Sequence, residues 1–263
     1  MSRSGKVEME GGTGSASRGG CRRCGTCCRL GGPVLHGEDL ARVLPLGEKR
    51  VEGFGLADLL TLRKGELARD DVAGTLTPLE VECVKIAPPA GAADWRCRFL
   101  DRETEGPFRQ NALCRIHSRR PAQCRALLCT DTRNIAALYA RDRVTREDLL
   151  RAVDAPLAWR EVPEAHEESC SLKIVTDLAR EVPEGDTPCR EADELMRLLR
   201  FDEAFRRLCV ERGHVPLEYL PFLLGRPLVA LLAGFGLRLE RQSHVQRLVR
   251  FGPGRYGATG SLC

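Results

Sequence analysis

Four of this chain's cysteines fall within eight residues, Cys21-Arg22-Arg23-Cys24-Gly25-Thr26-Cys27-Cys28. A loop this short can wrap its sulfurs around one centre, and Gly25 admits the positive φ that such a turn needs. Nine more cysteines follow: Cys83, Cys97, Cys114, Cys124, Cys129, Cys170, Cys189, Cys209 and Cys263. At about 5% of the chain this falls short of a disulfide scaffold. The total of 13 is odd, so at least one thiol stays unpaired within a monomer. The first twenty residues, MSRSGKVEMEGGTGSASRGG, have no apolar core of the kind a secretory signal needs. The expectation is a cytoplasmic location with reduced thiols. Clustered thiols in such a compartment read as metal ligands or redox groups.

The spacing C-x2-C-x2-C supplies three cluster ligands in bacterial ferredoxins. A C-x2-C pair is also half of a structural zinc site. The spacing therefore points to metal and leaves open zinc or an iron–sulfur cluster. The x3-Cys-Pro continuation of ferredoxins is missing, and the C-x3-C-x2-C loop of radical-SAM enzymes does not match. Adjacent side chains diverge in extended backbone, so Cys27 and Cys28 are expected to serve two centres or to bridge.

The length of 263 residues suits one or two domains with a sizeable core. Residues 1–20 are Gly/Ser-rich and read as a disordered tail. A short helix is expected over 36–44, opened by Glu38 and Asp39, and a second over 56–64. Residues 81–86 alternate apolar and polar side chains, as a half-buried strand does. Further strands are expected over 95–101 and 112–117, separated by a long loop at 102–111. A meander of these three strands would bring Cys83, Cys97 and Cys114 together. Pro121 suits a helix start, with Cys124 on its first turn. Beyond about residue 135 the chain reads as helical. Thr145 and Asp148 form a capping-box pattern. Pro188 opens a long helix to about Gly213, with Leu195, Leu198, Leu199, Phe205 and Leu208 on one face. Residues 215–237 are apolar enough for a membrane span, but Glu218, Pro221, Arg226 and Pro227 argue for two short buried helices broken at Gly225–Pro227. Residues 252–263 read as a loose tail. The expected fold class is α+β: a small Cys-rich metal-binding domain over 21–134 with a short antiparallel sheet and helices, then a mostly helical C-terminal region over 135–263.

The cluster is followed by Cys97-Arg98-Phe99-Leu100-Asp101, by Cys114-Arg115-Ile116-His117, and by Arg120-Pro121-Ala122-Gln123-Cys124-Arg125. With these segments in this order, residues 20–130 resemble the CxxCxxCC, or YkgJ-like, family of cysteine-cluster proteins. The resemblance implies a zinc- or iron-chelating domain without a defined reaction. It also implies a further cysteine ahead of the Cys-x-Phe-Leu segment, a place Cys83 fills. The implied metal ligands are Cys21, Cys24, Cys27, Cys28, Cys83, Cys97, Cys114 and Cys124, enough for two four-coordinate centres or for a cluster plus a zinc. His117 departs from the family's usual Tyr. It could complete a Cys-x2-His pair, but a surface or packed role is the plainer reading. Cys129 lies five residues past Cys124, about 500° around a helix, and is expected to face elsewhere. Cys189, at a helix start, is placed where thiolate is favoured.

The reading is of a soluble metal-binding protein. The alternative is a metal- or iron–sulfur-dependent enzyme, because the pattern resembles, more distantly, the cysteine-rich start of flagellin lysine methylases. No Gly-rich nucleotide loop, Ser/His/Asp set or His-Glu-x-x-His pattern supports catalysis. A net charge of +4 and 5% aromatics offer little electrostatic or stacking surface, so no nucleic-acid partner is expected. The expected partner is a metal ion or cluster, with no membrane, and the residues identify no protein partner. Arg115, Arg119, Arg120 and Arg125 crowd the last two family cysteines, where they could stabilise thiolates, bind an anion, or simply face solvent.

Overall fold

The computed structural model describes residues 21, 23–46, 53–70, 74–92, 94–101, 114–129, 131–139, 141–185, 189–242 and 245–252. The expected tails, the 102–111 loop, the start of the third strand at 112–113 and Pro188 lie outside the described residues. In chain order the helices are α1 (Thr26–Leu30), α2 (Ala122–Ala126), α3 (Arg133–Leu138), α4 (Arg146–Ala152), α5 (Leu157–Ser169), α6 (Leu172–Glu181), α7 (Arg190–Glu211), α8 (Leu220–Leu224) and α9 (Leu228–Leu231). The strands are β1 (Leu59–Leu62), β2 (Leu67–Asp70), β3 (Thr75–Pro78), β4 (Cys83–Ile86), β5 (Leu237–Gln242) and β6 (Val245–Arg250). They form three two-stranded antiparallel sheets among the described residues, β1–β4, β2–β3 and β5–β6. The fold class is α+β, with the Cys-rich part N-terminal.

The β4 strand forms within the stretch that alternation marked, but it is not half-buried: all four of its residues, Lys85 included, are buried. Its partners differ from the expected meander. β1 pairs along it, with Leu62 opposite Cys83. Residues 33–35 also bond to it, through Leu35 N–H to Val84 O at 2.8 Å and Ile86 N–H to Pro33 O at 2.9 Å. The expected strands 95–101 and 114–117 reduce to a single bridge, Leu100 to Cys114, and 117–119 is a 3-10 turn. The helix expected over 56–64 is likewise corrected. Leu56–Asp58 is one 3-10 turn, and the chain then enters β1. An apolar run buried on both faces suits helix and strand alike. Here tertiary bonding decides: all four β1 residues are buried, and Thr61 Oγ1 donates to Phe222 O at 2.5 Å. The helix expected over 36–44 is a 3-10 helix over Gly37–Arg42.

The Thr145–Asp148 capping box is present, with Thr145 N–H donating to Asp148 Oδ2 at 2.9 Å and Asp148 N–H to Thr145 Oγ1 at 3.3 Å. The long helix forms as α7, but its buried face runs through Leu195, Leu199, Asp202, Arg206 and Cys209. Leu208, expected on that face, is 43% exposed. The apolar stretch breaks as expected into α8 and α9 around Gly225–Pro227, with Phe222, Leu223, Leu224 and Leu228 fully buried. No single helix among the described residues is long and apolar enough to cross a membrane. The pair 217–224 and 228–235 meets that test together, but is bent by 54°. The β5–β6 hairpin interrupts the helical reading of the C-terminal region.

One hydrophobic cluster joins Leu35, Leu59, Ile86, Cys97 and Ile116 to Val144, Leu149, Cys209, Phe222 and Leu224. It thus crosses the expected boundary at 134. Buried ion pairs cross it too. Arg146 grips Glu82 and donates to Leu223 O. Arg63 forks onto Glu167 at 2.6 and 2.7 Å, and Arg226 pairs with Glu66. Arg206 donates to the carbonyls of Leu224, Gly225 and Arg226, which are the open acceptors past the end of α8.

Candidate metal centre

The cluster loop turns through Gly25 at φ +72° and enters α1, where Arg29 N–H closes on Gly25 O. Cys27 and Cys28 therefore sit on helical rather than extended backbone, and their Sγ atoms lie 4.0 Å apart. This corrects the expectation that the doublet must diverge, because both thiols reach the same space. Cys97 is held beside them by its N–H, which donates to Cys28 O at 2.7 Å. The Leu100–Cys114 bridge then brings Cys114 alongside. Cys124 arrives on α2, whose first N–H, at Ala122, donates to Asp39 Oδ1 at 2.9 Å. The same buried carboxylate takes the His36 N–H at 3.0 Å. Asp39 thus ties the turn after the cluster to the helix carrying Cys124. Burial raises its pKa, against the opposing pull of these N–H groups and Arg125.

A cavity of about 50 Å³ is lined by Cys21, Cys24, Cys27, Cys28, Cys114, Cys124 and Cys129. Cys97 lines an adjoining cavity that shares Cys27, Cys28, Cys114 and Cys124 with the first. Seven of the eight cysteines implied as ligands thus line one or other of these two cavities. Cys83 is not among them. It lies on β4 in a separate apolar cluster with Val34, Leu60, Leu62, Ala68 and Ala87. Cys129, expected to face elsewhere, joins the chamber. The helical rotation behind that expectation does not apply, because α2 ends at Ala126 and the chain turns back through a Leu128–Asp131 bridge.

The thiols are electrostatically uneven. The Thr26 hydroxyl, 3.4 Å from Cys24 Sγ, lowers the Cys24 pKa. The hydrogen bond from Cys28 lowers Cys27, and the same bond, with burial, raises Cys28. Burial pushes Cys97 up to about 11 and also raises Cys114. Burial, with Cys97, Cys27 and Cys114 nearby, raises Cys124 well above the ordinary thiol value. These sulfurs repel one another as thiolates, and a divalent cation reverses that repulsion. Soft sulfur donors at this density fit zinc, iron or an iron–sulfur cluster.

The arginine group disperses. Arg125 pairs with Glu38 at 2.6 Å, and Arg115 with Asp101 at 3.4 Å. Of the four arginines, Arg120 lines the chamber, together with His117. Arg120 Nη1 lies 2.5 Å from His117 Nε2. Burial and the guanidiniums of Arg120 and Arg23 lower the His117 pKa. Sequence reasoning missed a second group: His166, Cys170 and Asp202 place potential ligand atoms within 4.8 Å of one another. Asp202 is already committed to His166, to Arg206 and to the Leu228 N–H, at 2.8, 2.8 and 2.9 Å. Burial pushes the Cys170 thiol up to about 12. That group has the contacts of a buried structural ion pair, and its i, i+4 spacing on α5 and the next turn was its only signal in the sequence.

Thiols from α1, α2 and the intervening loops thus line two adjoining cavities, but among the described residues no three of them come as close together as the His166, Cys170 and Asp202 ligand atoms do. Residues 20–144, just under half the chain, match the model of the CxxCxxCC family, described as "Putative zinc- or iron-chelating domain". Curated proteins and solved structures yield no match to the chain.

Proposed function

We propose that the N-terminal half chelates a thiophilic metal, as zinc or as an iron–sulfur centre. The ligands are drawn from Cys21, Cys24, Cys27, Cys28, Cys97, Cys114, Cys124 and Cys129. The eight thiols that line two adjoining cavities carry this reading. Cys83 is left out of the set because it lines neither of the two cavities. The metal would supply folding energy by neutralising thiolates that burial otherwise disfavours. Asp39 and the Cys97 N–H bond to Cys28 position the ligands, and Arg120 offsets the negative charge of the sulfur cage.

The test is anaerobic purification, with an absorption spectrum and elemental analysis for iron, zinc and acid-labile sulfide on the same sample. Stoichiometric metal is the expected result. Brown protein with matched iron and sulfide identifies a cluster, and colourless protein with zinc identifies a closed thiolate site. A fully folded protein that carries no metal and takes up none overturns the proposal.

A further inference from the structure

The buried face of α7 runs through Leu195, Leu199, Asp202, Arg206 and Cys209. A helix turns by about 100° per residue, so Arg197, Phe201, Ala204, Leu208 and Glu211 fall within an arc of about 80° on the opposite face. Two large apolar side chains stand on that arc, Phe201 at 37% and Leu208 at 43% exposure. The Phe201 ring packs on Phe205 with centroids 5.7 Å apart, and Phe205 packs in turn on the buried His166 at 5.3 Å. Phe201 is thus a fixed anchor, which lowers the cost of ordering it in a contact. Scattered exposed apolar residues are ordinary on a protein surface. Here the order along the stripe is what counts. The small, half-buried Ala204 is at its centre, with one large apolar residue on either side and one charge at each end. Arg197 lies seven residues before Ala204, and Glu211 lies seven residues after it. These opposite charges are about 21 Å apart along the axis, too far to pair within one chain. Each has an exposed partner on its own helix, Glu194 at 2.7 Å from Arg197 and Arg207 at 3.9 Å from Glu211. Exposed pairs of this kind contribute little and are readily exchanged.

We propose that this face of α7 is a self-association surface, on which two copies of the chain pair antiparallel about a two-fold axis at Ala204. In a two-fold interface each contact is made twice, with the roles of the two copies exchanged. An axis at Ala204 brings Arg197 against Glu211 of the partner subunit at both ends of the contact. It also sets Phe201 beside Leu208 of the partner subunit. Ala204 at the crossing lets the two helices approach closely, since the side chains at the contact set the interaxial distance. A parallel pair would set like charges against each other at both ends. One edge of the stripe carries Arg200, Glu203 and Arg207, so the rim of the contact holds both signs. The surface is separate from the thiols, because none of its residues lines either thiol cavity.

The test is sedimentation velocity of the full chain as purified, over a concentration series up to about 100 μM, where a dimer of micromolar affinity is largely formed. The expected result is a mass that rises from one chain to two. Leu208→Glu, at an exposed position, should weaken association at least tenfold with helix content unchanged by circular dichroism. Arg197→Glu should weaken it as well, because two carboxylates then meet across the contact. Adding Glu211→Arg to that variant should restore it. The two positions lie about four turns apart in one chain, so restoration reports a contact between copies. The proposal is overturned if the chain stays monomeric throughout the series, which would leave this face to a different partner. It is also overturned if Leu208→Glu and Phe201→Glu both associate like the wild type. A third overturning result is that Arg197→Glu with Glu211→Arg associates no better than Arg197→Glu alone.

Discussion

Cys83 and Cys97 are both buried, yet they meet different neighbours. The first packs with Val34, Leu60 and Leu62, and the second faces Cys27, Cys28 and Cys114 across a shared cavity. Substituting each by Ser separates the roles. Cys83→Ser exchanges a buried apolar sulfur for a smaller, more polar oxygen and should lower stability by about 1 kcal/mol, with metal content unchanged. Cys97→Ser removes a soft donor and should weaken metal retention more than about tenfold, the lower range for losing even an outer-shell partner. Denaturant unfolding and elemental analysis of both variants read the two effects. Equal metal loss in both would restore Cys83 to the ligand set. The sequence revealed which cysteines belong to the C-x2-C-x2-C-C run, because spacing is local. It could not assign Cys83 or Cys129, because both assignments depend on where a turn sends the chain.

Elements follow the same division. The start of α4 is written in Thr145 and Asp148, whose side chains satisfy each other's backbone N–H groups within one turn. Thr145→Ala should cost about 1 kcal/mol, measured as a shift in the unfolding midpoint at unchanged slope. β1 was misread as helix because its four residues are buried on both faces, and its partner lies more than twenty residues downstream. On α7 the apolar stripe located the helix but not its full inner face. Asp202 and Arg206 lie on that face as a pair, 2.8 Å apart. Asp202→Ala strands the Arg206 charge in the interior and should cost about 3–5 kcal/mol. The double variant Asp202→Leu, Arg206→Met should cost at least as much as the single one, because it also leaves the Leu224, Gly225 and Arg226 carbonyls without their donor. A double variant more stable than Asp202→Ala would show that the stranded charge outweighs those lost bonds.

At the scale of the whole molecule, the two halves are joined by a shared core and by buried ion pairs whose chemistry is pH-dependent. His166 is fully buried against Asp202, with Arg63 and Arg206 close by and Glu167 and Cys170 on the same side. Burial is the largest cause of its lowered pKa. The unfolded chain therefore binds a proton at about pH 6.5, while the folded chain resists it to lower pH. The His166 contribution is fully present above that pH and is lost as pH falls from there toward the folded value. Thermal unfolding at pH 7.5 and 5.5 should show a drop that His166→Gln reduces. An unchanged drop in the variant would assign acid sensitivity to other groups. What the sequence determined by itself were the short-range features. These are the cysteine loop with its glycine turn, the capping box on α4, the position of β4, the broken apolar pair α8 and α9, and the α+β class. Each depends on residues a few positions apart, whose geometry the backbone sets directly. Only the tertiary structure decided which thiols share a cavity, that β1 is a strand, and that one core runs through both halves. Those outcomes rest on contacts between residues tens to more than a hundred positions apart, as in the Thr61–Phe222 bond, where burial and partner availability override local preference.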